Sequence, residues 1–203
     1  DFNRNYGFGT WKGEHRQKGA GIYPLSEPET RAIARFISDH KNIAGAMSYH
    51  TTGGVILRAS CTKPDKELNQ LDLRQYRELG DIGKEFTGYP CVSIYEEFTV
   101  DKARPSVGSF LDFTYGEKGI LTFATELWDL QQRAGIPRRT LEKRMQLKPE
   151  QREEDAVKLL QWVDDNLEPG QGFYEWTEFD HPQLGTVELG GFDVKYLRQN
   201  PPE

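Results

Sequence analysis

Apolar positions along the first 168 residues alternate between two spacings. Helical spacing covers residues 26–40, 65–86 and 149–167, and short apolar runs cover 43–49, 55–57, 91–95 and 119–128. A period of 3.6 residues indicates a helix with one apolar face, whereas a short continuous apolar run indicates a strand buried on both sides. Strands that alternate with helices predict an α/β domain with a mixed β-sheet flanked by helices on both faces.

The start of the first helix carries a local signal. Ser26 and Glu29 have the spacing of a capping box, in which each side chain bonds the other residue's backbone N–H, and Pro28 suits the first helical turn. The sequence therefore predicts a helix that begins at this point and fades near His40.

The pattern changes after residue 168. Residues 172–198 alternate aromatic and polar side chains around His181-Pro182 and Gly190-Gly191, which is typical of short strands and turns. We therefore expect a first domain over 1–168 and the truncated start of a β-rich accessory domain over 169–203.

Charge and composition exclude several classes of protein. The net charge of -6 argues against nucleic-acid partners, which favour a basic surface. No apolar run approaches the ~20 residues that a membrane helix needs, so no membrane partner is expected. Cys61 and Cys91 are too few for a disulfide framework, and we expect two unlinked thiols rather than a bridge.

Glu126 is the first candidate for chemistry. It shares one face of the best predicted strand with Thr122 and Ala124, in a segment otherwise built of apolar and small residues. A carboxylate in a strand buried on both faces must be paired, hydrogen-bonded or functional. The residues alone leave open a salt-bridged structural role and a functional one.

His50 and Arg4 are the other candidates. His50 ends a predicted strand, and the ends of strands are where α/β proteins bind ligands, although a single histidine is more often structural. Arg4 lies among small polar residues, where a guanidinium can bind a carboxylate through two hydrogen bonds, or can simply be a surface group near a chain end.

Four blocks of the sequence, taken together, resemble zinc carboxypeptidases of the carboxypeptidase A type. Asp1–Asn5 resembles the D-x-N-R-N segment of that family, Tyr23–Glu29 its S-E-P-E helix start, Ser48–His50 its third zinc ligand at the end of a strand, and Gly108–Asp112, Tyr115 and Thr125–Trp128 the region of its general base. The order and the spacing of the blocks agree over residues 1 to about 130.

The resemblance implies a function and a role for each residue. It implies a zinc metallocarboxypeptidase that hydrolyses the C-terminal peptide bond of peptides or proteins with a free terminal carboxylate. His50 would bind one zinc ion, Glu126 would be the general base, and Asn3 with Arg4 would hold the carboxylate. The family's other two zinc ligands and its carbonyl-polarising arginine precede the part that resembles this chain, so the chain by itself is expected to be inactive.

The resemblance also implies the specificity residues, with departures. Leu111 would lie at the floor of the specificity pocket and Ala124 at its wall, which favours neutral terminal side chains, whereas a register shift of one would bring Asp112 to the floor. The mobile substrate-binding tyrosine of many relatives aligns with Arg104, which would replace it unless another residue such as Tyr95 does so.

Two alternative functions stay open at this point. The same zinc fold also supports deacylases and desuccinylases, which likewise recognise a carboxylate. A peptidase-like binding module without catalysis is the alternative from another class, with the β-rich segment contacting protein or glycan.

Overall fold

The structure is a computed structural model that describes residues 1–7, 11–139, 141–168, 170–192 and 199–201. Its internal contacts define two compact units. Unit 1 contains Asp1–His50 and Gly54–Leu127, and unit 2 contains Thr51–Gly53 and Trp128–Glu203. The domain boundary after residue 168 stays a prediction, and part of the proposed accessory domain (169, 193–198 and 202–203) lies outside the described residues.

A mixed sheet forms the centre of unit 1. Its strands are β1 (Gly45–Thr51), β2 (Val55–Arg58), β3 (Cys91–Ser93) and β4 (Leu121–Leu127), in the order β1-β4-β2-β3. Strand β2 pairs in parallel with β3 and antiparallel with β4. All four residues of β2 are buried, so both faces of the sheet are covered at this strand. The predicted α/β class with a mixed sheet is confirmed.

The helices of unit 1 are α1 (Pro28–Asp39), α2 (Gln70–Thr87) and α3 (Phe110–Asp112), which continues as a wider turn over Phe113–Glu117. Helix α2 packs against β2 and β3, and the phenol oxygen of the fully buried Tyr76 accepts a hydrogen bond from the backbone N–H of Thr122, 3.0 Å away. The apolar core of the sheet includes Val55, Leu57, Tyr76, Leu111, Phe123 and Ala124.

The predicted capping box at the first helix is wrong. Helix α1 begins at Pro28, and the residue before it, Glu27, provides no side-chain cap. The hydroxyl of Ser26 instead donates to the Glu27 carboxylate and accepts from the side chain of Asn5. A long-range contact therefore takes the group that the local pattern assigned to the helix.

Two predicted element limits also move, and each for a local reason. The helix expected from residue 65 begins at Gln70, because the Asn69 side chain accepts hydrogen bonds from the first turn. The strand expected over 91–95 ends at Ser93, whose hydroxyl accepts from the backbone N–H of Glu96 and starts a helical turn over Ile94–Phe98. In both cases a short polar side chain satisfies backbone N–H groups that open a helical segment.

Unit 2 is built from helices and one hairpin. The elements are α4 (Leu130–Arg133), α5 (Leu141–Met145), α6 (Pro149–Asn166), β5 (Phe173–His181) and β6 (Gly185–Phe192). Strands β5 and β6 pair antiparallel, as the alternating pattern predicts, and Leu130 packs with Val163 in a small apolar core.

Two further observations concern the cysteines and the hydropathy of the helices. Cys61 and Cys91 are both free thiols. None of the helices in the described part of the chain is long and apolar enough to cross a membrane.

Candidate functional site

Strands β1 and β4 bring the two main candidates to one end of the sheet. The strands are neighbours, and a Cβ atom placed on Gly45, the first residue of β1, would lie 3.6 Å from the carbonyl oxygen of Leu121, the first residue of β4. The strands therefore start side by side, and each is seven residues long. His50 and Glu126 are each the sixth residue of their strand, so both lie at the same end.

Glu126 has the environment of a reactive carboxylate. It is half-buried, and burial raises the pKa of its carboxyl group above the ordinary value of 4.5. Among the residues that the structure describes, its carboxylate makes no ion pair and no hydrogen bond. The salt bridge that a structural role would need is therefore not formed within this part of the chain.

The fold lowers the pKa of the His50 imidazole. Burial lowers the pKa of the His50 ring below its ordinary value of 6.5, and the positive charge of Arg4 lowers it further. A neutral imidazole has the lone pair that zinc binds. The influence of Arg4 on this pKa also shows that its guanidinium lies within electrostatic reach of His50.

The segment that carries Asn3 and Arg4 is a helical turn over Phe2–Arg4. The Asn3 side-chain oxygen accepts from the backbone N–H of Phe110 at 2.9 Å, and one Arg4 guanidinium nitrogen donates to the Asn3 carbonyl at 2.7 Å. These bonds use the side-chain oxygen and the backbone carbonyl oxygen of Asn3 and one guanidinium nitrogen of Arg4. Among the described residues, the side-chain amide of Asn3 and the remaining N–H groups of Arg4 have no hydrogen-bond partner, so they keep donors for a ligand.

Gly108 packs directly against the backbone of Arg4. Its φ is 74°, and a Cβ atom there would lie 2.1 Å from the Arg4 carbonyl oxygen. The Gly108 carbonyl also accepts a hydrogen bond from the backbone N–H of Tyr6 at 2.9 Å. Only glycine allows this close approach, which fixes the position of the Arg4 backbone.

Asn5 ties the same segment to the start of α1. Its side chain is completely buried, and it forms hydrogen bonds with the loop before α1 and with the first turn of α1. The amide donates to the Ala20 and Tyr23 carbonyls and to Ser26, and the oxygen accepts from the Glu27 N–H and the Thr30 hydroxyl. Asn5 is thus a structural anchor beside Asn3 and Arg4, whose remaining donors are unused within the described part of the chain.

The residues assigned to the specificity pocket lie in the core of unit 1. Leu111 is 3% exposed and Ala124 is 7% exposed, and both belong to the main apolar cluster. The structure brings them together, but their role in a pocket stays a prediction.

Only one carboxylate oxygen of the neighbouring Asp112 forms hydrogen bonds among the described residues. Its Oδ1 accepts from the Ser60 hydroxyl and the Cys61 N–H. Its Oδ2 is buried and has no hydrogen-bond partner among the described residues. Burial raises the pKa of the Asp112 carboxyl above its ordinary value.

Arg104 is not held in a defined site. Its side chain is 88% exposed and pairs with Asp101 in the same loop at 2.9 Å. The alternative residue, Tyr95, lies 5.8 Å from the Lys102 ammonium, measured to its ring centroid. Neither contact involves a group of the candidate site, so substrate binding by Arg104 also stays a prediction.

The residues present fit one position of a zinc site. Within the described ranges no three His, Cys, Asp or Glu side chains are close enough together to hold a metal ion. The half-buried ring of His50, whose pKa is lowered, has the donor chemistry of a single zinc ligand, and zinc needs at least three protein ligands in a catalytic site. The remaining ligands would have to come from outside the described residues.

The sequence pattern indicates His50 and Glu126 as candidates, a role that stays a prediction, but gives no sign of the structural roles of Asn5 and Gly108. The adjacent asparagines of the first block gave no sign that one of them is a buried anchor. Gly108 follows a Pro-containing loop, and the sequence does not show that it meets a backbone more than 100 residues earlier.

Comparisons with known proteins complete this picture. Residues 1–157 match the protein family described as Zinc carboxypeptidase, whereas no curated protein matches the chain. The crystal structure of thrombin activatable fibrinolysis inhibitor (TAFI) is 24% identical, covers 63% of this chain and 33% of its own chain, and has a TM-score of 0.47. The chain thus spans about a third of the length of that structure. Because the family match covers most of its residues, the chain belongs to the zinc carboxypeptidase family.

Proposed function

We propose that the full-length protein is a zinc-dependent metallocarboxypeptidase. This chain would supply its general base (Glu126), one zinc ligand (His50) and a pair of residues that bind the substrate carboxylate (Asn3 and Arg4), which we call the carboxylate clamp. The observation that carries the proposal is the placement of Glu126. Its half-buried carboxylate, which has no partner among the described residues, lies at the same end of the sheet as His50. A structural carboxylate in such a strand would be paired.

Each residue has a role that follows from its surroundings. His50 would hold the zinc ion, which when bound lowers the pKa of a water molecule and polarises the substrate carbonyl. A Glu126 oxygen would take the proton of the attacking water and pass it to the leaving amine. The raised pKa of Glu126 makes this carboxylate a stronger base than an exposed one.

Asn3 and Arg4 would select for a chain end. The free donors of the Arg4 guanidinium match the two oxygens of a carboxylate, and the Asn3 amide can add a further bond. The Gly108 contact and the Asn5 anchor hold these donors in place before a substrate arrives. A peptide or protein with a free terminal carboxylate is therefore the proposed partner.

The test is Glu126→Gln in the full-length protein. Glutamine keeps the size of the side chain but cannot accept the proton, so we expect turnover to fall by at least about 100-fold. The melting temperature should change little, because the carboxylate has no partner to lose within the described part of the chain. Glu178→Gln on the exposed hairpin strand β5 is the matched control and should leave turnover unchanged.

The substrate series separates the rival functions. Turnover should be measured on N-blocked dipeptides with a free carboxylate, on the same dipeptides with an amidated end, and on N-acyl amino acids. Hydrolysis of the free dipeptides alone supports the carboxypeptidase. Preference for N-acyl amino acids would establish the deacylase instead, and no turnover of any substrate by zinc-loaded protein would leave a binding module.

A further inference from the structure

Ser48 is a polar neighbour of His50 that the proposed function has not used. The two residues are two apart on β1, so both side chains lie on the same face of the strand. This face is half-buried, while the alternate residues Met47 and Tyr49 are exposed. The Ser48 hydroxyl oxygen lies 2.9 Å from Nε2 of the His50 ring.

This contact distinguishes the two ring nitrogens. A neutral imidazole carries one proton, and the nitrogen without it has the lone pair that a metal binds. Because Nε2 of His50 is engaged by Ser48, Nδ1 is the nitrogen left for another partner. The ring can present a lone pair at Nδ1 only if the proton is on Nε2, which then donates to the Ser48 oxygen.

We propose that Ser48 is a positioning residue that accepts the Nε2–H of His50, fixes the ring rotation and keeps Nδ1 free for zinc. The inference rests on the proposed function, because it takes His50 to be a zinc ligand. The outer partners of metal-bound histidines usually set the tautomer in this way, and the loss of such a partner weakens metal affinity by about 10- to 100-fold.

The test combines a measurement without metal and a measurement with it. In the metal-free full-length protein, ¹⁵N–¹H correlation spectra report which ring nitrogen is protonated, and His50→Ala assigns the signal among the four histidines of this chain. Zinc affinity is measured by competition with a chelator. We expect the wild-type ring to be protonated at Nε2.

Three variants make the test specific. Ser48→Ala should give a mixture of tautomers and a 10- to 100-fold loss of zinc affinity. Ser48→Thr keeps the hydroxyl on a strand that tolerates β-branched residues, so it should restore both properties. Ser38→Ala removes a comparable partly buried hydroxyl bond, 2.7 Å long to the Ala34 carbonyl on α1, and should change neither.

The outcomes separate this inference from the proposed function. A wild-type ring protonated at Nδ1, or a Ser48→Ala variant with unchanged tautomer and zinc affinity, overturns the role of Ser48. If His50→Ala still abolishes zinc binding in that case, the proposed function stands. Unchanged zinc affinity in His50→Ala overturns the proposed ligand itself, and the role of Ser48 with it.

Discussion

Gly108→Ala should displace Arg4, which together with Asn3 forms the proposed carboxylate clamp. The new Cβ atom would lie 2.1 Å from the Arg4 carbonyl oxygen, whereas real Cβ contacts are essentially never shorter than 3.0 Å. One of the two backbones must therefore move by at least 0.9 Å, the difference between these distances. A misplacement of about 1 Å can lower turnover by about 100-fold.

The stability change has two parts. Alanine at a φ of 74° is strained by about 1–2 kcal/mol, and overpacking adds about 1–3 kcal/mol. Gly119 provides the control, because its φ is 68° and nothing lies within 4 Å of its added Cβ. Gly119→Ala should therefore show the strain alone.

The assay is urea unfolding of both variants, followed by turnover per folded molecule on free-carboxylate and amidated dipeptides. Gly108→Ala should be less stable than Gly119→Ala and should lose activity mainly on the free carboxylate. Equal stability losses, with turnover of both substrates unchanged, would show that the Gly108 contact does not control Arg4.

Three further predictions concern Arg4, Asp112 and the zinc content of the chain. Arg4→Lys should weaken binding of free-carboxylate substrates by about 1.5–3 kcal/mol, because lysine cannot form the two parallel bonds, and equal losses on amidated substrates would make Arg4 structural. Since the pKa of Asp112 is raised in the folded state, the free energy of unfolding should fall as the pH rises from about 4 through that raised pKa. Asp112→Asn keeps one acceptor oxygen and should remove this fall in urea unfolding across pH, and an unchanged profile would contradict the assignment. The 203-residue chain by itself should lose zinc on dialysis, because His50 is the single proposed ligand among the described residues, and tightly bound stoichiometric zinc would refute that ligand set.

The strands that carry His50 and Glu126 could be predicted because their signals are local. A short apolar run and a period of two depend only on neighbouring residues. The burial on both faces predicted for the His50 strand is wrong, because the residues of β1 alternate between exposed and half-buried. That Glu126 has no partner within the described ranges could not be predicted in this way. It depends on which cations the fold brings near, and sequence spacing does not contain that information.

The contacts of Gly108 and Ser26 could not be predicted from the sequence, because they join residues that are far apart in the chain. Ser26 is taken from its predicted cap by Asn5, which lies 21 residues earlier, and Gly108 meets Arg4 across more than 100 residues. Such contacts depend on the folded structure and leave no local pattern. The buried Asn5 amide needs hydrogen-bond partners, and it therefore uses the Ser26 hydroxyl that the local pattern assigned to the helix cap.

The buried side chain of Asn5 has a consequence for motion. A local fluctuation that detached the Arg4 segment would break the hydrogen bonds of the buried Asn5 side chain. Each buried polar group left without a partner would cost about 1–3 kcal/mol of free energy. The backbone N–H of Glu27 donates a hydrogen bond to the side-chain oxygen of Asn5. The proton of this N–H should therefore exchange with solvent only when unit 1 opens as a whole. A clamp that is already rigid loses little conformational entropy when a substrate binds, so more of the guanidinium–carboxylate interaction remains available for affinity.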